Sequence, residues 1–212
     1  MEVSEALRTR ISTRKFTNKT ISLDTLKVIV DEARKAPSWV NSQPYTIYLA
    51  TGEKLDAIRN LQEKLEKGGQ KGNSELPVMA RNLWSERAQK NMKYWTEHLG
   101  EAQQYMGPSS ARLYDAPAVI YLTLPEGYSD WSLYDLGSLG NSIILSATAR
   151  GIASMTAYQF VKYPEMLHRE LDIPKDEKII VGIGLGYRDE DAKVNEIRSS
   201  RNRLEEVLKI RV

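Results

Sequence analysis

Arg10-Ile11-Ser12-Thr13-Arg14 opens the chain's most informative pattern, and Ala36-Pro37-Ser38-Trp39-Val40-Asn41-Ser42-Gln43-Pro44 answers it further on. In an extended segment Arg10, Ser12 and Arg14 alternate onto one face. Guanidiniums flanking a hydroxyl make an anion clamp, because Arg presents a rigid fork of donors that matches phosphate oxygens. The second stretch sets Ser38, Asn41, Ser42 and Gln43 between prolines, giving a stiff loop rich in donors and acceptors. Together they point to a phosphate-bearing planar cofactor. Each alone also has a plain structural reading, as a solvated basic strand and as a turn.

A third element lies near the far end: Gly186-Tyr187, Val194-Asn195, then Arg198-Ser199-Ser200-Arg201. The R-x-S-x-R start, the P-S-x-x-N-x-Q-P loop and the late G-Y…R-S-x-R segment, in this order, resemble the FMN-dependent nitroreductase family. The resemblance runs over nearly the whole length and is weakest between about Gly68 and Ser110. It implies an α+β sandwich with a central, mostly antiparallel sheet flanked by helices. It also implies an intertwined homodimer with FMN sites at the subunit interface, and a single domain spanning 1–212 with a variable excursion at about 68–110.

The same resemblance implies tightly bound FMN, NAD(P)H as co-substrate and a small aromatic or quinone-like acceptor. Arg10 and Ser12 match the positions that serve the phosphate. Arg14 matches the one near the pyrimidine edge of the ring, where a positive charge favours reduction. Ser38, Asn41 and Gln43 match the loop that reaches FMN from the other subunit. Arg201 matches the late phosphate-binding Arg, with Ser199 beside it and Arg198 as a possible substitute. Ala157 and Tyr158 fall where backbone amides approach the flavin N5 and O4 edge. The Pro- and Gly-containing stretch common at that place in the family is missing here. One shared site implies ping-pong kinetics, and no protein acid or base is required.

The alternatives are a flavin-binding regulator without turnover, or flavin reduction, dehalogenation or flavin cleavage on the same scaffold. A basic nucleic-acid-binding module is a remote third, and a formal net charge of only +2 with both signs interspersed argues against it. Cysteine is absent, which excludes disulfides, thiolate metal sites and a Cys nucleophile, and fits a reducing cytoplasm. No apolar run approaches the roughly 20 residues of a membrane span, and the first residues lack a signal-peptide core. A soluble cytoplasmic protein is expected.

Hydrophobic spacing predicts helices over Val3–Arg8, from a Ser22 cap towards Pro37, over Glu53–Glu66, Arg81–Tyr105 and Leu133–Arg150, and from Tyr163-Pro164 to Leu171. Strands are expected at Tyr45–Ala50, Pro117–Leu124 and Ile179–Leu185, a flexible break at Gly68–Asn73, and a closing segment at Leu204–Ile210. The absence of regular βαβ units favours α+β over a doubly wound fold. The Leu133–Arg150 helix carries Gly137, Ser138, Gly140, Ser142 and Ala149, which suits close packing at the centre. Gly151 is placed to end it.

Gly182, Gly184 and Gly186 lie in and after a strand with no helix and second strand to follow. They read as structural glycines, not as a dinucleotide loop. His98 and His168 are far apart and lack metal-ligand spacing. The aromatic residues Trp84, Tyr94, Trp95 and Tyr105 read equally as core or as a lid that stacks on flat substrates.

Overall fold

The computed structural model describes the chain from Met1 to Val212. Its centre is a sheet of four strands: β1 (Thr46–Thr51), β2 (Ala118–Pro125), β3 (Ala153–Thr156) and β4 (Glu177–Gly186). The spatial order is β1-β2-β4-β3, and every pairing is antiparallel. The Ser12 segment adds a parallel bridge at the outer edge, where the Thr13 N–H donates to the Ser154 carbonyl at 2.9 Å. The first basic motif is therefore a short sheet edge, as its alternation suggests.

The helices are α1 (Val3–Thr9), α2 (Leu23–Ala33), α3 (Gly52–Lys67), α4 (Glu86–Glu97), α5 (Gln103–Ala111), α6 (Asp130–Ala149), α7 (Pro164–Glu170) and α8 (Leu204–Val207). Ser22 caps α2 by accepting from the Thr25 N–H at 3.1 Å, as its sequence position indicates. Gly151 at φ +70° ends the α6 segment, letting Ile152 N–H return to the Ala147 carbonyl at 3.0 Å.

Two apolar layers sandwich the sheet. On one face, Leu26 and Ile29 of α2 and Leu136, Leu139, Ile143 and Ala147 of α6 pack on Ile120, Leu122, Ile183 and Leu185. On the other, Leu55 and Ile58 of α3 and Met166 and Leu167 of α7 pack on Val119, Tyr121 and Ile179, with Phe16 and Phe160 between. Full burial of one such aliphatic side chain contributes about 1.5–3 kcal/mol, so these layers dominate the stability. The odd- and even-numbered residues of β2 separate cleanly between the two faces, as period-two alternation requires.

In β4 a bulge resets that alternation. Leu122 faces Val181 but Thr123 faces Ile179, so Ile180 is the extra residue. Beyond it, Gly182 and Gly184 turn towards Phe160. A Cβ on Gly182 would lie 2.3 Å from Phe160 Cβ, and one on Gly184 would lie 2.6 Å from Phe160 Cζ. These glycines are structural, as expected, because an aromatic ring lies flat on the strand.

The structure corrects the element expectations in three places. β3 was not anticipated. The expected Arg81–Tyr105 helix is broken, with a separate turn at Arg81–Leu83, α4 capped by Ser85, and Gly100 at φ +54° before α5. The Gly68–Asn73 stretch does end α3, yet it is fastened rather than loose. Asn73 N–H donates to the Lys162 carbonyl at 3.1 Å, and Tyr163 Oη donates to the Gln70 carbonyl at 3.1 Å.

Candidate anion-binding site

The chain's two ends meet at the sheet edge. Asn195, fully buried, accepts from the Arg14 N–H at 2.6 Å and the Lys15 N–H at 3.1 Å. Its amide nitrogen donates to the carbonyls of Lys15 at 2.7 Å and Asp189 at 2.8 Å. One side chain thus satisfies four backbone groups and ties the first motif to the C-terminal segment. Asn195 stands in the third sequence element, but its type gave no sign of this role.

Beside that tie lies a cleft of about 270 Å³ lined by Leu7, Arg8, Arg10, Ile11, Ser12, Arg14, Ile197, Arg198, Ser199 and Arg201. Five of the expected site residues (Arg10, Ser12, Arg14, Ser199 and Arg201) are brought together there. Arg8, which the sequence reading did not single out, joins from the last turn of α1, and Arg198 joins from the late motif. Five arginines and no acidic residue line the cleft. Like charges this close repel, so the arrangement calls for an anion.

Arg14 states the requirement most sharply. It is only 6% exposed, its Nε has no hydrogen-bond partner, and Nη1 reaches only the Ser12 carbonyl at 3.3 Å. Burial lowers its pKa from the ordinary guanidinium value, with Tyr114 opposing the shift and the nearby Arg198 charge adding to it. Its guanidinium carbon lies 5.9 Å from the centroid of the Trp95 ring. Arg14 also borders a second cleft of about 450 Å³, formed with Asn91, Met92 and Trp95 of α4 and with Ser199–Asn202.

The other expected residues lie elsewhere in this chain. Ser38, Asn41 and Gln43 form a self-bonded loop. Gln43 N–H donates to Ser38 Oγ at 3.1 Å, and Gln43 Nε2 donates to Asn41 Oδ1 at 2.9 Å. Val40, Asn41 and Gln43 all have positive φ, and the loop is pinned to α6 where Trp39 N–H donates to buried Asp135 at 2.8 Å. Asn41 and Gln43 are exposed, and no residue of this loop lines either cleft. Ala157 and Tyr158 follow β3 directly; Ala157 packs on the core and Tyr158 is exposed beside Gly72. Neither lines the two clefts.

Of the aromatic residues weighed as core or lid, Trp95 alone turns inward. It packs with Leu99, Ala102, Val194 and Ile197, while Trp84, Tyr94 and Tyr105 are exposed. His98 stacks on Tyr94, and His168 sits between the Ile173 carbonyl and Glu75. No group of His, Asp and Glu is arranged to hold a metal ion. No helix is long and apolar enough to cross a membrane.

This fold and this edge cleft define the class. The sequence model of the Nitroreductase family matches residues 7–187, and the chain belongs to that family. It is 25% identical over 215 aligned residues to nitrobenzene nitroreductase of Ectopseudomonas oleovorans, covering 96% of this chain and 94% of that one. It is 27% identical to 4-nitrobenzoate reductase of Pseudomonas putida, covering 91% and 88%. Among solved structures, the FMN-dependent nitroreductase NfnB from Mycobacterium smegmatis, in complex with NADPH, superposes with a TM-score of 0.91 at 24% identity, over 99% of this chain and 98% of that one. The expected sandwich is thereby borne out.

Proposed function

We propose that the chain is an NAD(P)H-dependent FMN oxidoreductase that reduces nitroaromatic, quinone or flavin-type acceptors by a ping-pong route. The observation that carries the reading is the carboxylate-free, five-arginine cleft on a nitroreductase fold. Its donor set suits a monophosphate, with Arg10, Ser12, Ser199 and Arg201 to hold it, and the buried Arg14 Nε without a partner is left for the flavin ring. When bound, FMN supplies the redox chemistry, accepting hydride from NAD(P)H and returning electrons to the acceptor.

The chain's own residues bind and orient. Arg10, Ser12 and Arg201 hold the phosphate, with Ser199 beside them. Arg14 sets a positive charge near the pyrimidine edge, which favours electron entry. Ser38, Asn41 and Gln43 reach the cofactor of a second copy, so the working form is a homodimer. Backbone amides near Ala157 and Tyr158 serve the N5 edge. No side chain is assigned as acid or base.

The test is the anaerobic absorption spectrum of the FMN-reconstituted protein during titration with NADPH and with NADH. Bleaching of the flavin bands, followed by reoxidation with a nitroaromatic, is the expected result. A protein that binds FMN but is not bleached by either nucleotide is a flavin-binding regulator. Absence of flavin binding removes the reading altogether.

A further inference from the structure

Arg14 has no carboxylate to balance it, and the group that faces it comes from α4, outside the basic motifs. The Trp95 ring stands 5.9 Å from the guanidinium carbon. Trp95 is half-buried among Leu99, Ala102, Val194 and Ile197, while α4 itself has no fully buried residue. Along the rest of α4, Arg87 Nη1 donates to the Glu206 carbonyl at 3.2 Å, an exposed contact. The helix is therefore held down chiefly at its C-terminal end, where Trp95 meets Arg14.

We propose that Trp95 is a positioning residue for Arg14 and the fastening point that holds α4 over the anion cleft. An aromatic face attracts a cation through its quadrupole, and the attraction grows as water is removed. For a guanidinium that is buried and short of hydrogen bonds, the ring supplies the missing electrostatic partner. It also fixes where the fork points. Because Arg14 borders both clefts and Trp95 fixes where its fork points, a flavin bound against Arg14 and the seating of Trp95 favour each other. Cofactor binding and the order of α4 are thus linked through one ring and one guanidinium. The inference rests on the FMN reading above and adds to it a residue from outside the basic motifs.

Trp95→Phe and Trp95→Leu separate a ring effect from packing. Leu fills the apolar patch without a π face; Phe keeps the face in a smaller side chain. Apoprotein of each is titrated with FMN by flavin fluorescence, and α4 is followed by amide hydrogen exchange with and without FMN. Trp95→Leu should bind FMN about fivefold to thirtyfold more weakly, the range of a partly desolvated cation–π contact, while Trp95→Phe stays within about threefold of the parent. FMN should slow exchange across α4 in the parent and in Trp95→Phe, but not in Trp95→Leu. Equal affinities for parent and Trp95→Leu, or equal losses for Phe and Leu, would overturn the role of the ring. Failure of the parent to bind FMN would instead remove the functional reading.

Discussion

The carboxamide of Asn195 treats Lys15 as a neighbouring β-strand would, accepting from its N–H at 3.1 Å and donating to its carbonyl at 2.7 Å. The two residues lie 180 positions apart in sequence. Asn195→Ala strands the Arg14 and Lys15 N–H groups, while the Lys15 and Asp189 carbonyls keep the N–H donors of Asp189 and Ala192. With about 1–3 kcal/mol for each unsatisfied buried group, a net loss of at least about 2 kcal/mol is expected. For a chain of this size that lowers Tm by about 4–8 °C. Thermal melts check it, and FMN affinity should fall with stability because the same bonds place Arg14.

Arg201 and Arg10 line one cleft although they come from opposite ends of the chain. Charge-assisted hydrogen bonds contribute about 1.5–3 kcal/mol each, so Arg201→Ala should weaken FMN binding by about tenfold to a hundredfold. Arg201→Lys should restore only part, since an ammonium keeps the charge but loses the fork. Arg201 is exposed and donates only to the Ser199 and Ser200 carbonyls nearby, so neither change should disturb the melting of the apoprotein. A fluorescence titration in which Arg201→Ala matches the parent would take the residue out of the site.

The Phe160 ring makes the glycines of β4 unequal. Gly182→Ala collides with Phe160 Cβ, an atom that every residue except glycine carries, whereas Gly184→Ala meets chiefly the ring's far end, with Ala116 Cβ farther off at 3.1 Å. Overpacking of this kind costs about 1–3 kcal/mol, and Gly182→Ala should sit at or above the top of that range. Shortening the ring by Phe160→Leu should ease Gly184→Ala and leave Gly182→Ala uncorrected. Denaturant midpoints of the three single and two double variants decide the matter.

Alkaline pH should unfold the protein through its buried tyrosines. Burial pushes Tyr114 up to about 12, and moves Tyr121 upward as well. A raised folded-state value means the neutral phenol is favoured by the fold. The associated stability is therefore complete below the unfolded tyrosine value of about 10 and drains away as pH climbs from there through about 12. Phenolate absorbance should rise together with the loss of circular dichroism. Tyr121 Oη is buried without a partner, so Tyr121→Phe should be neutral or slightly stabilising at pH 7 and should flatten the alkaline decline.

The sequence conveyed those parts of the fold that rest on long apolar patterns. β1, β2 and β4 and helices α2, α3 and α6 follow from alternation, caps and the stop at Gly151. β3 escaped because Ala153–Thr156 is only four residues long and carries no β-branched run; its partner β4, not its own propensity, makes it a strand. The false continuity of Arg81–Tyr105 arose from good helix formers on both sides of Gly100, whose positive φ is invisible in a periodicity count.

At the site, the R-x-S-x-R and R-S-x-R motifs were legible through their order along the chain, since each alone also reads as a solvated basic segment. Arg8 and Trp95 were not. One sits in an ordinary helix end, the other among several aromatic residues, and only the packing of Leu99, Val194 and Ile197 selects which of those turns inward.

The cleft draws one wall from residues 7–14 and the other from residues 197–201. A ribosome making this protein therefore completes both apolar layers of the sheet before the second wall exists. Cofactor loading must wait until residues 197–201 have been made, and a message truncated shortly after codon 187 would lack that wall together with the Asn195 tie. Colour in a cell making such a fragment would report only the full-length product.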